Sequence, residues 1–596
     1  MPDYAQIITH TPEQTLEWKE IARSNPGRVA RTLVLPPEGT TREGDDRRDI
    51  YPALEAVREI SMEGRNGGEN KAWEALVAGG IANALCKNVC EMVVFFHVLP
   101  TMPSHLMEKV RNEIRSPYYA PLEILCNAAV NFQYPPTKTD KKVIAALRKN
   151  WSEMMERIWN EPEGTIRPED SHTLERMVVA QLVMRIIITD PTFISVLYEP
   201  SDLSIQVIAR HWKYAQRLAD TALTASSLSV LLEPSHPRLI AYVRSNGLES
   251  STAQLVSKIF VGVGPTKLSS KQQQAKALVA SFSEHLVRLT GPSAGNELDF
   301  LMTIIAAAKN DACEPEVAKT ILKATPLWNA LFRLLKKSAK PVPANAEERA
   351  SLDPESEKQQ RLRVIANIVG TSANTLHNAT FKHSKECEPL LRIWANENLF
   401  GALEETIDLL ISLPGMTMQL TRLVSIIDTI VSEDKPALLR LYRTQFPRWR
   451  ILGTLIRHDI KQQQATGLPP PAPTPGVIAP SDSNLWDHSV WQCFGSLQIK
   501  CMDRKVCGKR GCENENTGKF VCQCQAVEYC SETCQTKDTK EHRLACGLLG
   551  LLDNVGVGRS ARHAAPTPAQ PTKGKKKSPA EDLVSGGSDV RLEDLD

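Results

Sequence analysis

Fourteen cysteines occur in the 596 residues, and nine of them lie between Cys493 and Cys546. Within "CGKRGCENENTGKFVCQCQAVEYCSETCQTKDTKEHRLAC" the spacings sort into pairs. Cys507 and Cys512 are C-x4-C, Cys522 and Cys524 C-x-C, Cys530 and Cys534 C-x3-C, and His542 and Cys546 H-x3-C. The last two pairs have the i, i+4 spacing that puts both side chains on one face of a helix. Thiolate and imidazole are the donors zinc prefers, and eight of them make two closed tetrahedral sites. A closed site keeps no position for an activated water, so the chemistry indicated is structural rather than catalytic. Cys501 competes for a place in the first site, and Cys493 is an ordinary thiol.

The elements that must hold these ligands are short of apolar residues: Val506, Phe520, Val521, Val527, Tyr529 and Leu544 are the main ones. A module this small does not fold on them alone. Its folding free energy must come from the metal, about 10 kcal/mol or more per structural site. The chain around it is different. At 596 residues it exceeds the ~250–300 residues over which a single core grows, and its 42% hydrophobic and 23% charged content is that of an ordinary globular protein.

From about residue 50 to 462 the pattern is helix after helix. Leu298, Leu301, Met302 and Ile305 fall on one helical face, as do Leu403, Ile407, Leu410 and Ile411, and Leu423, Ile426, Ile427 and Ile430. Strand signals are nearly absent. "LVAGGIANALC" (Leu76 to Cys86) resembles the hinge between consecutive helices of an armadillo repeat. "LEILCNAAVNFQ" (Leu122 to Gln133) resembles the third helix of one, and "LRVIANIVGTSANTL" (Leu362 to Leu376) is a weaker echo. The fold class expected is therefore mainly α, an armadillo/HEAT-like solenoid, with an irregular helical domain as the alternative.

The organisation expected is an N-terminal segment over 1–49, the helical domain over 50–462, and a Pro-rich linker over 463–485. A connector over 486–506, the cysteine module over 507–546 and a disordered tail over 559–596 follow. "QQQATGLPPPAPTPGVIAP" cannot continue a helix, and the tail has few large apolar residues.

The pattern C-x4-C, C-x-C, "VEYCSETCQ", H-x3-C is similar to that of the MYND-type zinc finger, and "EYCSETCQ" carries most of the likeness. The resemblance implies two interleaved zinc ions. Cys507, Cys512, Cys530 and Cys534 would hold one, and Cys522, Cys524, His542 and Cys546 the other. It also implies a protein-interaction module that grips Pro-containing peptides. In that family a Gln is followed four residues later by a groove-lining Trp, whereas here Gln535 is followed by Thr539. The usual aromatic wall is missing. A RING-type finger is the other cross-braced arrangement, but it requires a central histidine block that this spacing lacks.

Function classes narrow accordingly. The net charge is +2, and Lys and Arg in 501–546 are nearly matched by Asp and Glu, so the finger is not expected to bind nucleic acid. The run Met92 to Leu99 is far short of the ~20 residues that span a bilayer, and the N-terminus lacks a secretory signal. An intracellular protein, cytoplasmic or nuclear, with reduced thiols is expected. Some MYND fingers accompany SET-type lysine methyltransferases, but no "NHSC"-like motif, Gly-rich cofactor loop, P-loop, G-x-S-x-G or H-E-x-x-H is present. No enzyme is expected. His383 and Cys387, four apart, read as coincidence. Cys86 and Cys90 read as small buried hydrophobes, and Lys573 to Lys577 as solvated charge or an import patch. The architecture resembles fungal MYND-finger adaptors that assist a ubiquitin ligase. The function expected is a zinc-binding scaffold for protein partners, with a transcriptional or chromatin co-regulator as the alternative.

Overall fold

The computed structural model describes residues 11–34, 49–63, 70–91, 116, 118–162, 164–167, 172–248, 252–265, 269–289, 294–308, 314–341, 354–466, 490–502, 506–515, 520–524 and 527–546. The linker from 467, the tail 559–596, the run Met92 to Leu99 and the Lys573 to Lys577 cluster lie outside them.

Local signals start the helices where side chains supply the first unpaired N–H groups with acceptors. Thr11 with Gln14, Thr137 with Asp140, and Ser270 with Gln273 form reciprocal capping boxes. Pro12, Pro26, Pro237 and Pro436 sit at helix starts, where a missing N–H costs nothing. Gly79 and Gly80 separate the helices Lys71–Ala78 and Ile81–Glu91, as the break in that stretch suggests.

Helices so started need somewhere to bury one face, and they do it by stacking in two ladders. One runs through Pro12–Ser24, Ile50–Met62, Tyr119–Val130, Thr173–Thr189, Leu218–Leu232, Gly295–Ala308, Pro354–Lys382, Met416–Ile430 and Val490–Cys501, each packing on the next. The other runs through Pro26–Thr32, Ile81–Glu91, Lys138–Asn160, Ser204–Lys213, Thr252–Val263, Lys271–Arg288, Thr325–Lys337, Leu399–Ile411 and Trp449–Thr466. Cross-packing joins the ladders along their length, as where Ile81–Glu91 meets Tyr119–Val130 and Trp449–Thr466 meets Val490–Cys501. The result is a helical solenoid with one continuous apolar interior, each rung meeting mainly its neighbours. Fully buried Trp151, Trp212, Trp328 and Trp394 punctuate it. Leu298, Leu301, Leu403, Ile407, Leu410, Leu423 and Ile427 all lie on its buried faces.

Three boundaries differ from the sequence expectation. The array begins at residue 12 rather than 50, because Pro12–Ser24 packs on Ile50–Met62 and buries Trp18 and Ala22. The segment read as a connector contains the helix Val490–Cys501, which closes the first ladder with Trp491, Phe494 and Leu497 inward. The helix Trp449–Thr466 also runs four residues past the expected end. Each difference has one cause: a single amphipathic helix beside a polar or Pro-rich stretch looks like linker until a neighbour covers its apolar side.

Candidate metal centre

The only strands among the described residues are Phe520–Val521 and Glu528–Tyr529, a short antiparallel pair with Phe520 opposite Tyr529. Each strand delivers a cysteine at its end, Cys522 after the first and Cys530 after the second. Cys522 N–H donates to the Val527 carbonyl at 3.0 Å. Upstream, the 507–512 loop is folded back on itself, with Cys512 N–H on the Lys509 carbonyl at 3.0 Å. Gly511 takes φ +72° there, in the left-handed region where a side chain is strained. Gly508 N–H bonds the Glu528 carbonyl at 2.8 Å and ties this loop to the hairpin. Downstream, Ser531 caps the helix Glu532–His542 by accepting from Cys534 N–H at 3.2 Å. That helix carries Cys534 in its first turn and His542 at its end, about 12 Å apart at about 1.5 Å per residue.

Two ligand clusters result, and each has its ligand atoms within 4.8 Å of one another. Cys507, Cys512, Cys530 and Cys534 form the first. Sγ of Cys530 lies 3.7 Å from Sγ of Cys512 and 3.6 Å from Sγ of Cys534, and the Cys534–Cys512 edge is 3.9 Å. Cys522, Cys524, His542 and Cys546 form the second. Its edges are 3.6 Å between the sulfurs of Cys522 and Cys546, and 3.1 and 3.3 Å from His542 Nε2 to the sulfurs of Cys522 and Cys524. Sulfurs about 2.3 Å from a common centre stand about 3.8 Å apart at tetrahedral angles. These edges are that size, and far too long for disulfides at about 2.05 Å. The donor set thus fits two zinc ions in closed four-ligand sites, all eight expected ligands are used, and the sites interleave: one helix serves both.

The electrostatics agree. Burial holds the His542 imidazole below its usual pKa, which favours the neutral ring that binds metal through Nε2. Burial pushes the Cys507 and Cys546 thiols up to about 12. The hydroxyl of Ser531 draws Cys534 the other way. A thiol raised in this way, as at Cys507 and Cys546, keeps its proton until a cation replaces it. Cys501 is not a competitor for the first site. It lies buried at the end of Val490–Cys501, its thiol raised to about 12 by burial and the nearby Asp428 charge, and it joins neither cluster. Cys493 is likewise a half-buried helix thiol raised to about 11, mainly by burial. Cys387 points its Sγ at the His383 carbonyl oxygen, 3.9 Å away.

Residues 505–546 match the family model described as "MYND finger". They are a MYND finger. No curated protein and no solved structure matches the chain. The MYND finger is a zinc-binding protein-interaction module, and no helix among the described residues is long and apolar enough to cross a membrane. On the face where the family's Trp is expected, Thr539 Oγ1 donates back to the Gln535 carbonyl at 2.6 Å. Gln535 Nε2 lies 3.5 Å from the carbonyl of Val521, a residue 45% exposed.

The MYND finger does not stand apart from the solenoid. Trp449 Nε1 donates to Asp538 Oδ2 at 3.1 Å, and Tyr529 Oη donates to the same oxygen at 2.8 Å. The Trp449 and His542 rings meet in a T-shaped arrangement with centroids 4.8 Å apart. Arg457 donates to the Leu544 carbonyl at 2.8 Å. Arg510 reaches out of the 507–512 loop to the Pro447 carbonyl at 2.7 Å and to Glu404 at 3.2 Å, while Arg448 holds the other oxygen of Glu404 at 2.7 Å. Sequence reasoning missed these contacts. Trp449, Gly453 and Arg457 share one helix face at a spacing of four, a signal that exists in "WRILGTLIR" but reads there as ordinary core.

Proposed function

We propose that this chain is an adaptor that presents two protein-binding surfaces in a fixed relation, the flank of the helical solenoid and the exposed face of the MYND finger. The observation that carries the reading is the use of all eight cysteine and histidine ligands in two closed sites. The metal there builds a surface and leaves no position for a reacting molecule. Stacked helices offer an extended side that suits a long or multi-part partner. Since the finger is bonded to the last rungs, the two surfaces meet a partner as one rigid body, which lowers the ordering cost of engaging both. A tethered finger, the arrangement expected from the Pro-rich stretch, would instead contribute through effective concentration.

The architecture's resemblance to fungal MYND-finger adaptors favours a ubiquitin-ligase assembly as the partner, within the cytoplasm or nucleus. Cross-linked pull-down of the full chain followed by mass spectrometry tests this. Ligase and proteasome components are expected in stoichiometric amount, and chromatin factors in their place would move the protein to the co-regulator class. Calorimetric binding of S-adenosylmethionine would replace the adaptor reading with a methyltransferase.

A further inference from the structure

We infer that the MYND finger is the terminal cap of the helical solenoid, so that metal retention in the second site and closure of the stack are one coupled equilibrium. The inference stands on geometry and is independent of which partner the adaptor serves.

The finger helix Glu532–His542 packs on Trp449–Thr466, the last rung of the second ladder, and so takes the place of the next rung. A solenoid end is an open apolar face, and terminal units with a polar outer side are what close it. This helix has that division. Asp538 and His542 are its buried residues, and Glu532, Thr536, Lys537, Lys540 and Glu541 face outward.

The seam is close. A Cβ built on Gly453 would lie 2.1 Å from the Leu544 carbonyl oxygen and 2.8 Å from its carbon, so the finger's last turn rests directly on the helix backbone. Such contact admits only glycine. Trp449 and Arg457, one turn to either side, fix the approach through Asp538 and Leu544. Ala545, between the ligand His542 and the ligand Cys546, is fully buried.

The same residues wall the second ligand cluster. Trp449 packs on His542, whose Nδ1 is buried with no hydrogen-bond partner among the described residues, and Arg457 holds the turn leading to Cys546. The solenoid therefore does what outer-shell partners do in other metal sites, fixing ring orientation and keeping water out. Coupling of this kind is reciprocal. Undocking the finger must loosen the second site, and emptying the site must loosen the last rung.

The full chain loaded with zinc tests both directions. Gly453→Val is expected to weaken retention of one ion of the two against a competing chelator by about 10–100-fold, with faster release of that ion, the usual effect on metal affinity of losing an outer-shell partner. In the wild type, chelation is expected to raise amide exchange along Trp449–Thr466 while Lys138–Asn160, six rungs away in the same ladder, is unchanged. Unaltered exchange in Trp449–Thr466 after both ions have left would overturn the proposal. So would unchanged release of both ions from a Gly453→Val chain whose exchange shows the seam open. Should Gly453→Val fail to fold, Arg457→Ala decides by the same two readings: faster release of one ion supports the seam, and release at the wild-type rate refutes it.

Discussion

The solenoid and the MYND finger reach a defined fold by opposite routes. Along the solenoid each rung buries a broad apolar stripe, and side chains as large as Trp151, Trp212, Trp328 and Trp394 disappear completely from solvent. Among the described residues of the finger, only Val527, Tyr529 and Ala545, with Cys507, are buried apolar groups, and the strands are two residues long. Apolar burial at about 25 cal/mol per Å² suffices for the first region and not for the second, where metal–ligand bonding must supply the difference. The comparison teaches where tolerance lies. The solenoid spreads its stability over many replaceable contacts, whereas the finger concentrates it in eight atoms.

That contrast predicts responses that separate the two regions. Cys530→Ser should have the largest effect, because Cys530 bonds through Sγ in the first cluster and closes the second strand. Zinc content measured by atomic emission is expected to fall below two ions per chain and the finger to lose its protease resistance. The far-ultraviolet circular dichroism of the solenoid should remain close to wild type. Trp151→Ala reverses the pattern. It removes a fully buried ring that packs edge-on against Phe193 and donates to Ser204 at 2.7 Å. A cost of about 3–5 kcal/mol in the denaturant stability of the array is expected, with two zinc ions still bound.

Arg510→Ala sharpens the comparison at the boundary. It deletes the finger's charged bridge to Glu404 and Pro447 and should cost about 1–3 kcal/mol. The loss should show in the thermal transition while zinc content stays at two. The smallest expected effect is that of Thr539→Trp, on a half-buried helix position, where stability should change by no more than about 0.5 kcal/mol. Its readout is affinity for a Pro-containing peptide by fluorescence anisotropy, expected to rise as an aromatic wall appears. No gain would show that Gln535 and Val521 alone do not form such a groove.

The ligand set was legible because its logic is local. Cys530 with Cys534, and His542 with Cys546, carry their meaning in a spacing of four, and the closely spaced Cys522 and Cys524 offer few other uses. The apolar stripes of the helices were legible for the same reason. Boundaries were less so. Trp18 and Ala22 sit among polar residues, and Val490–Cys501 follows a Pro-rich stretch, so neither helix announces the neighbour that makes it stable. Cys501 shows the limit most plainly: six residues from Cys507 in the chain, it turns into the solenoid instead.

By itself, then, the sequence determined the mainly helical class and four pairs of metal donors, since each follows from periodicity or from donor chemistry over a few residues, while the sharing of those pairs between two ions is what the family resemblance implied. Only the tertiary structure decided where the finger sits. The bond from Trp449 to Asp538 joins residues 89 apart, and the approach of Gly453 to Leu544 depends on where two ladders end. Neither residue pair has a local signature, because a seam between two surfaces is chosen by their joint shape and not by either strip of chain alone.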